Sequence, residues 1–140
     1  ELRLPLLFSE GVLTHRLSLN RFVELSATNA AKLYGVYPRK GTIAVGADAD
    51  IALWDPRVTR TVSIDMLHDN MDYTPYEGRV VTGWPVHVLV RGETAFKDGE
   101  VVAAPGNGRF VRCARPEWAR PLGRRIHGFE PSTGAFAGWS

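Results

Sequence analysis

Two acids one residue apart, Asp48 and Asp50, are the side chains whose type and spacing most directly suggest chemistry in this sequence. Alternate residues of an extended chain share a face, so an Asp-x-Asp pair sets two carboxylates side by side, as general acid/base work requires. No histidine or nucleophile neighbours the pair. Asp48 also follows Gly46 in a Gly-Ala-Asp corner, where its carboxylate is expected to accept backbone N–H groups in an Asx-turn. General acid/base work would also need a facing pocket, so a structural role is expected for the pair.

The remaining candidates are weaker. His15, His68, His87 and His127 form no His-x-His pair and no helical i, i+4 pair, so surface or turn positions are expected for them rather than metal ligation. Cys113 is the sole cysteine, which excludes an intramolecular disulfide and a cysteine-based zinc site. Gly106-Asn107-Gly108 is not a phosphate loop, because Pro105 precedes it and no helix follows to present N–H groups. Tyr73 and Tyr76 beside Glu77 could line a ligand site, although aromatic residues in a β-loop more often pack, and Arg39-Lys40 reads as a solvated turn. No catalytic, cofactor-binding or metal-ligating residue is assigned in this chain.

The net charge of +2 conceals an asymmetry, since residues 1 to 108 carry 11 Lys/Arg against 13 Asp/Glu and the remainder carry 6 against 2. Arg109, Arg112, Arg115, Arg120, Arg124 and Arg125, interleaved with Phe110 and Trp118, have the composition of a nucleic-acid contact. Pro116, Pro121 and Pro131, and the preference of arginine for protein interfaces, favour instead an extended arm laid on a neighbour. No nucleic-acid or membrane partner is expected: the apolar runs are short, with no basic-then-apolar leader. The single cysteine fits a reducing, cytoplasmic setting.

The elements that must position these residues change character midway. Residues 6–14 are expected to be helical, with Pro5 tolerated in the first turn. Ser18 is a good N-cap for a helix through about residue 25, Thr28 or Asn29 caps a further helix over 30–34, and Gly35 stops it. After Tyr37-Pro38 short β-rich runs take over at 42–43, 50–54, 59–64, 80–82, 86–91, 94–97 and 100–103. Turn signals separate them at Gly46-Ala47-Asp48, Asp55-Pro56, Gly83, Gly92 and Asp98-Gly99, the last expected to be a type I′ hairpin turn. Along 86–91, Val86, Val88 and Val90 should share one face, leaving His87, Leu89 and Arg91 on the less buried one. With 140 residues and 44% hydrophobic content the chain can bury one ordinary core. Helices with uncovered apolar stripes, and an opening at Glu1 without an initiator methionine, suggest the C-terminal piece of a longer polypeptide.

Several blocks carry a family resemblance. They are the run from Tyr37 to Pro56, with Tyr37-Pro38-Arg39-Lys40-Gly41 and Gly46-Ala47-Asp48-Ala49-Asp50; Arg3-Leu4-Pro5-Leu6-Leu7 with Ser9-Glu10-Gly11; and Leu19 to Leu25 with Ala27 to Gly35. Tyr73 to Gly78, Gly83-Trp84-Pro85, Val90-Arg91-Gly92 and Gly106 to Phe110 follow in order. Together they resemble the end of cyclic amidohydrolases of the dihydropyrimidinase and D-hydantoinase type, over about residues 1 to 112.

The resemblance implies a mainly β fold with N-terminal helices: the last helices of an amidohydrolase (β/α)8 barrel over 1–36, the C-terminal strands of a composite β-sandwich over 37–112, and a basic, proline-containing arm over 113–140. It implies a longer parent that opens the ring of dihydropyrimidines or 5-substituted hydantoins with two divalent metals, usually zinc, bridged by a carboxylated lysine. The family's substrate-contacting Asn-Gly falls just upstream of Glu1, so this chain has a supporting role and holds no cofactor. Its implied partners are the remainder of its own chain, further subunits of a dimer or tetramer, and, in the parent, a small cyclic amide. A non-catalytic dihydropyrimidinase-like scaffold and an allantoinase are the alternatives, and the short tail favours an enzyme.

Overall fold

The computed structural model describes residues 1–116 and, further on, the backbone of two short strands. Helix α1 (Arg3–Leu7) begins earlier than expected, and Pro5 sits in its first turn, where a missing N–H leaves no partner unsatisfied. It runs directly into a wider π-type turn over Phe8–Val12, in which the Leu13 N–H donates to the Phe8 carbonyl five residues back at 3.1 Å. Helix α2 (Leu19–Val23) starts where expected, the Ser18 hydroxyl accepting the Arg21 N–H at 3.2 Å.

The helix expected to restart at Thr28 or Asn29 does not restart. Val23 passes through a second π-type stretch, Glu24–Thr28, into α3 (Asn29–Leu33), with Thr28 and Asn29 both in right-handed helical torsions. Thr28 serves tertiary structure instead, its hydroxyl donating to the Gly41 carbonyl at 2.8 Å. Gly35 closes the helix as expected, at φ +68°. The crossing that follows contains a cis Tyr37–Pro38 bond. It makes no strand at 42–43.

Four strands form one antiparallel sheet in the order β1 (Ile51–Thr61), β2 (Val80–Val90), β3 (Glu93–Lys97) and β4 (Glu100–Val101). Two further strands, β5 (Phe129–Glu130) and β6 (Ala135–Phe136), pair with each other. Two pairs of the seven runs read from the sequence fuse into β1 and β2, because two turn signals are bulges within strands, while the run expected over 100–103 keeps only Glu100–Val101. Asp55 pairs with Trp84 and Thr59 with Thr82, so Pro56, Arg57 and Val58 bow out opposite Gly83. Proline is admissible there because the bowed stretch makes no ladder bond that needs its N–H. The run expected over 59–64 ends at Thr61, and Ile64–Met66 forms a 3₁₀ turn capped by Ser63.

A second bulge changes the expected exposure of Val86 and His87 within β2. Leu53 pairs with His87 and Trp54 with Pro85, which leaves Val86 without a partner in β1. Val86 is accordingly exposed and His87 half-buried, the reverse of simple alternation. The Asp98-Gly99 turn behaves as read, with both residues at positive φ, +54° and +92°.

The core lies between α1 and the sheet. Leu2, Val62, Val81 and Trp84 are buried together, flanked by Leu6, Val58, Met66 and Leu67. Beside them Phe8, Phe22 and Trp54 form an aromatic trio with ring centroids 5.4 to 6.0 Å apart. Leu19, Val23, Tyr34 and Ile43 remain exposed along an apolar groove of about 810 Å³ that Phe8, Phe22 and Trp54 also line and that reaches Ala52. Among the described residues no helix is long and apolar enough to cross a membrane.

Candidate functional site

The crossing from helices to sheet gathers the densest set of charges among the described residues. Lys40 donates to Asp48 at 2.9 Å and, more closely, to Asp50, while Arg39 Nε donates to Asp48 at 3.0 Å. The backbone helps to place them: the Asp48 N–H bonds the Arg39 carbonyl at 2.9 Å and the Gly92 N–H bonds the Ala49 carbonyl at 2.9 Å. Asp50 Oδ1 accepts the Arg91 N–H at 2.8 Å. The cluster therefore clasps the crossing to the β2–β3 turn.

This corrects the local reading in two respects. Asp48 makes no Asx-turn; its carboxylate takes Arg39 and Lys40, and Asp50 is the acid that accepts a backbone N–H. Arg39-Lys40 is not a free solvated turn, because Lys40 is drawn between both acids. Arg91 was missed as a participant. Its contribution is a main-chain N–H presented by a left-handed residue at φ +53° in a two-residue turn, and side-chain type carries no signal of that.

The electrostatics follow from the pairing. The Lys40 ammonium, then Arg39, hold Asp48 below the usual carboxylate range. Burial pushes Asp50 up, but Lys40 and the Arg91 N–H outweigh it and leave its pKa lowered. Asp50 and Asp48 raise Lys40. A lowered carboxylate contributes stability that is fully present above its unfolded pKa, about 3.9, and is lost as pH falls through the lower folded value. A raised lysine contributes stability below about 10.4 and loses it as pH rises through the higher folded value. Lys40→Met is therefore expected to flatten the pH dependence of the urea midpoint at both extremes. Unchanged acid and alkaline limbs would show that the clasp does not contribute.

The other candidates are dispersed. His15 lies in a turn at φ +61°, His68 meets Glu1 with Nδ1 3.1 Å from its carboxylate, and His87 Nε2 meets the Thr94 hydroxyl at 2.9 Å. His127 lies outside the described residues, as do Trp118, Arg120, Pro121, Arg124, Arg125 and Pro131 of the expected arm. Tyr73 and Tyr76 line a groove of about 660 Å³ beside α1 that also holds the Arg79–Glu10 ion pair. Glu77 is turned to other use, its carboxylate accepting the Ile64 N–H at 2.9 Å. Asn107, in the glycine-flanked loop, accepts from the Arg91 guanidinium through its carbonyl and side-chain oxygens. Among the described residues no three His, Cys, Asp or Glu side chains converge as a metal site would need.

What the scaffold is becomes clear from its relatives. Residues 3–95 match the Amidohydrolase family. This chain belongs to the amidohydrolase family. Within it, the chain is 50% identical over 113 residues to a D-hydantoinase of Geobacillus stearothermophilus and 48% identical over 112 residues to a D-phenylhydantoinase of Escherichia coli. The structure of a Bacillus sp. AR9 D-hydantoinase superposes with a TM-score of 0.79 at 50% identity, over 82% of this chain and 25% of that one. A dihydropyrimidinase from Brevibacillus agri superposes with a TM-score of 0.77 at 49% identity, over 81% of this chain and 25% of that one. The two sequence relatives are matched over 81% and 80% of this amidohydrolase chain and 24% of their own length, so it spans about a quarter of them.

Proposed function

We propose that this chain is the C-terminal part of a cyclic amidohydrolase that hydrolyses the ring amide of dihydropyrimidines or 5-substituted hydantoins, and that its own role is structural. The observation that carries the reading is half identity to a D-hydantoinase combined with a matching backbone. The acid pair fits a structural role, since Asp48 and Asp50 are engaged with Arg39, Lys40 and the Arg91 N–H. In this reading residues 1–36 are the closing helices of a (β/α)8 barrel, 37–112 are strands of a β-sandwich, and 113–140 form an arm crossing a subunit interface in a cytoplasmic dimer or tetramer. The rest of the polypeptide covers the apolar groove along Leu19, Val23 and Tyr34.

Two divalent metals, with zinc the first choice, and a bridging carboxylated lysine belong to the preceding part of such an enzyme. When bound they would polarise the amide carbonyl and lower the pKa of an attacking water. The described residues do not fit such a centre, and none of them is assigned a step in the reaction.

The test compares the full-length polypeptide with the 140-residue chain. The full-length protein is expected to open dihydrouracil or a 5-substituted hydantoin to an N-carbamoyl amino acid in a chelator-sensitive reaction. The 140-residue chain is expected to bind no stoichiometric zinc and to turn over neither substrate. A folded full-length protein inactive on both substrates would overturn the assignment of activity, and one or two zinc ions per short chain would overturn the division of labour.

A further inference from the structure

We propose that residues 102–116 are a strap that fastens the sheet to the end of α3, with Arg91 and Gly35 as its two anchors. The inference stands apart from the enzymatic reading. Residues 102–116 contain no helix or strand, yet they are tied down in order. The N–H groups of Val102 and Ala103 both donate to the Ala95 carbonyl, at 2.9 and 3.2 Å. The guanidinium of Arg91, at the β2–β3 turn, then holds Asn107 through its carbonyl and side-chain oxygens. At the far end the Ala114 N–H donates to the Gly35 carbonyl at 2.8 Å.

The Gly35 anchor depends on the missing side chain. A Cβ at position 35 would stand 2.0 Å from the Ala114 carbonyl oxygen and 2.8 Å from its carbon, closer than any side chain can sit. Gly35 therefore meets two demands at once, the left-handed torsion that ends α3 and the close passage of the strap. Between the anchors the chain is lightly held: Phe110 is 92% exposed, and Arg109 and Arg112 are exposed as well. The strap joins the two ends of one network, because the N–H of Arg91 is fixed by Asp50, which Lys40 holds in turn. Helices and sheet are thereby held in one orientation by contacts outside the apolar core.

The 140-residue chain itself supplies the test. In the unsubstituted chain the Ala114 amide is expected to exchange with solvent at least about tenfold more slowly than in an unstructured peptide. Gly35→Asn keeps the left-handed torsion accessible while placing a side chain against Ala114, and Asn107→Ala removes one acceptor of Arg91. Each variant is expected to raise the rate of tryptic cleavage after Arg112 about tenfold while cleavage after Arg16, in a separate turn, stays unchanged. An Ala114 amide exchanging at the peptide rate, or cleavage after Arg112 within twofold of the parent in both variants, would overturn the proposal. If Gly35→Asn fails to fold, Asn107→Ala and the exchange rate of the unsubstituted chain decide the matter.

Discussion

Gly83→Ala is expected to lower the unfolding free energy of the chain by roughly 3 kcal/mol, the sum of a backbone and a packing cost. Gly83 lies inside β2 at φ +92°, opposite the bowed Pro56–Val58 stretch of β1, and an L-residue held there is strained by about 1–2 kcal/mol. Its new methyl group would stand 2.2 and 2.5 Å from two carbons of the Phe8 ring and 3.0 Å from Trp54 Nε1. Phe8 has little room to withdraw, being 4% exposed and packed against Phe22 and Trp54. Forcing such a core to rearrange costs about 1–3 kcal/mol. Urea unfolding followed by tryptophan fluorescence reads the effect directly; a midpoint equal to the parent's would mean that the contact between β2 and the helical segment is not close-packed.

Phe8→Ala is expected to cost about 3–5 kcal/mol, the range for removing a buried aromatic ring. The ring lies on the π-type turn after α1, T-shaped to Phe22 at 5.6 Å between centroids and tilted at 41° to Trp54 at 5.4 Å. Removing it empties a place where both helical segments meet the sheet. The two substitutions should also couple, since the closest contacts of an alanine at position 83, at 2.2 and 2.5 Å, are with the Phe8 ring. In the double variant the total loss is expected to fall short of the sum by about 0.5–3 kcal/mol. Strict additivity, measured by the same denaturation curves, would show that Gly83 is required for its torsion alone.

How much of this could be read in advance varies element by element. Ser18 announced a helix start because a hydroxyl one residue before an apolar helical stripe satisfies an orphan N–H, and that event is local. Asp98-Gly99 announced its hairpin because both residues tolerate positive φ. Thr28 misled for the opposite reason. Its side chain is as good a cap as Ser18, but the Gly41 carbonyl thirteen residues on takes the hydroxyl, and the helix continues through it. Asp55-Pro56 and Gly83 carry sound turn chemistry and were read as strand ends. Pairing placed the two irregularities opposite one another, so each relieves the other and both strands run on.

The candidate site divides in the same way. The residue types in Tyr37 to Pro56, and their agreement with blocks on either side, identified an amidohydrolase without any coordinates, because family membership resides in the order of side chains along the chain. A structural role for Asp48 and Asp50 was expected from the want of a neighbouring base or nucleophile. Their partners were not. Lys40 reaches both acids only once the crossing has folded back, the Arg91 N–H arrives from the β2–β3 turn forty-one residues away, and Gly35 meets Ala114 across most of the chain. Local torsion and capping preferences are written in a few adjacent residues, and by itself the sequence determined the helices, the type I′ turn and the family. Which face of β2 turns inward, which carboxylate takes which cation, and where the chain after β4 is tied down are long-range contacts decided only when distant segments pack together.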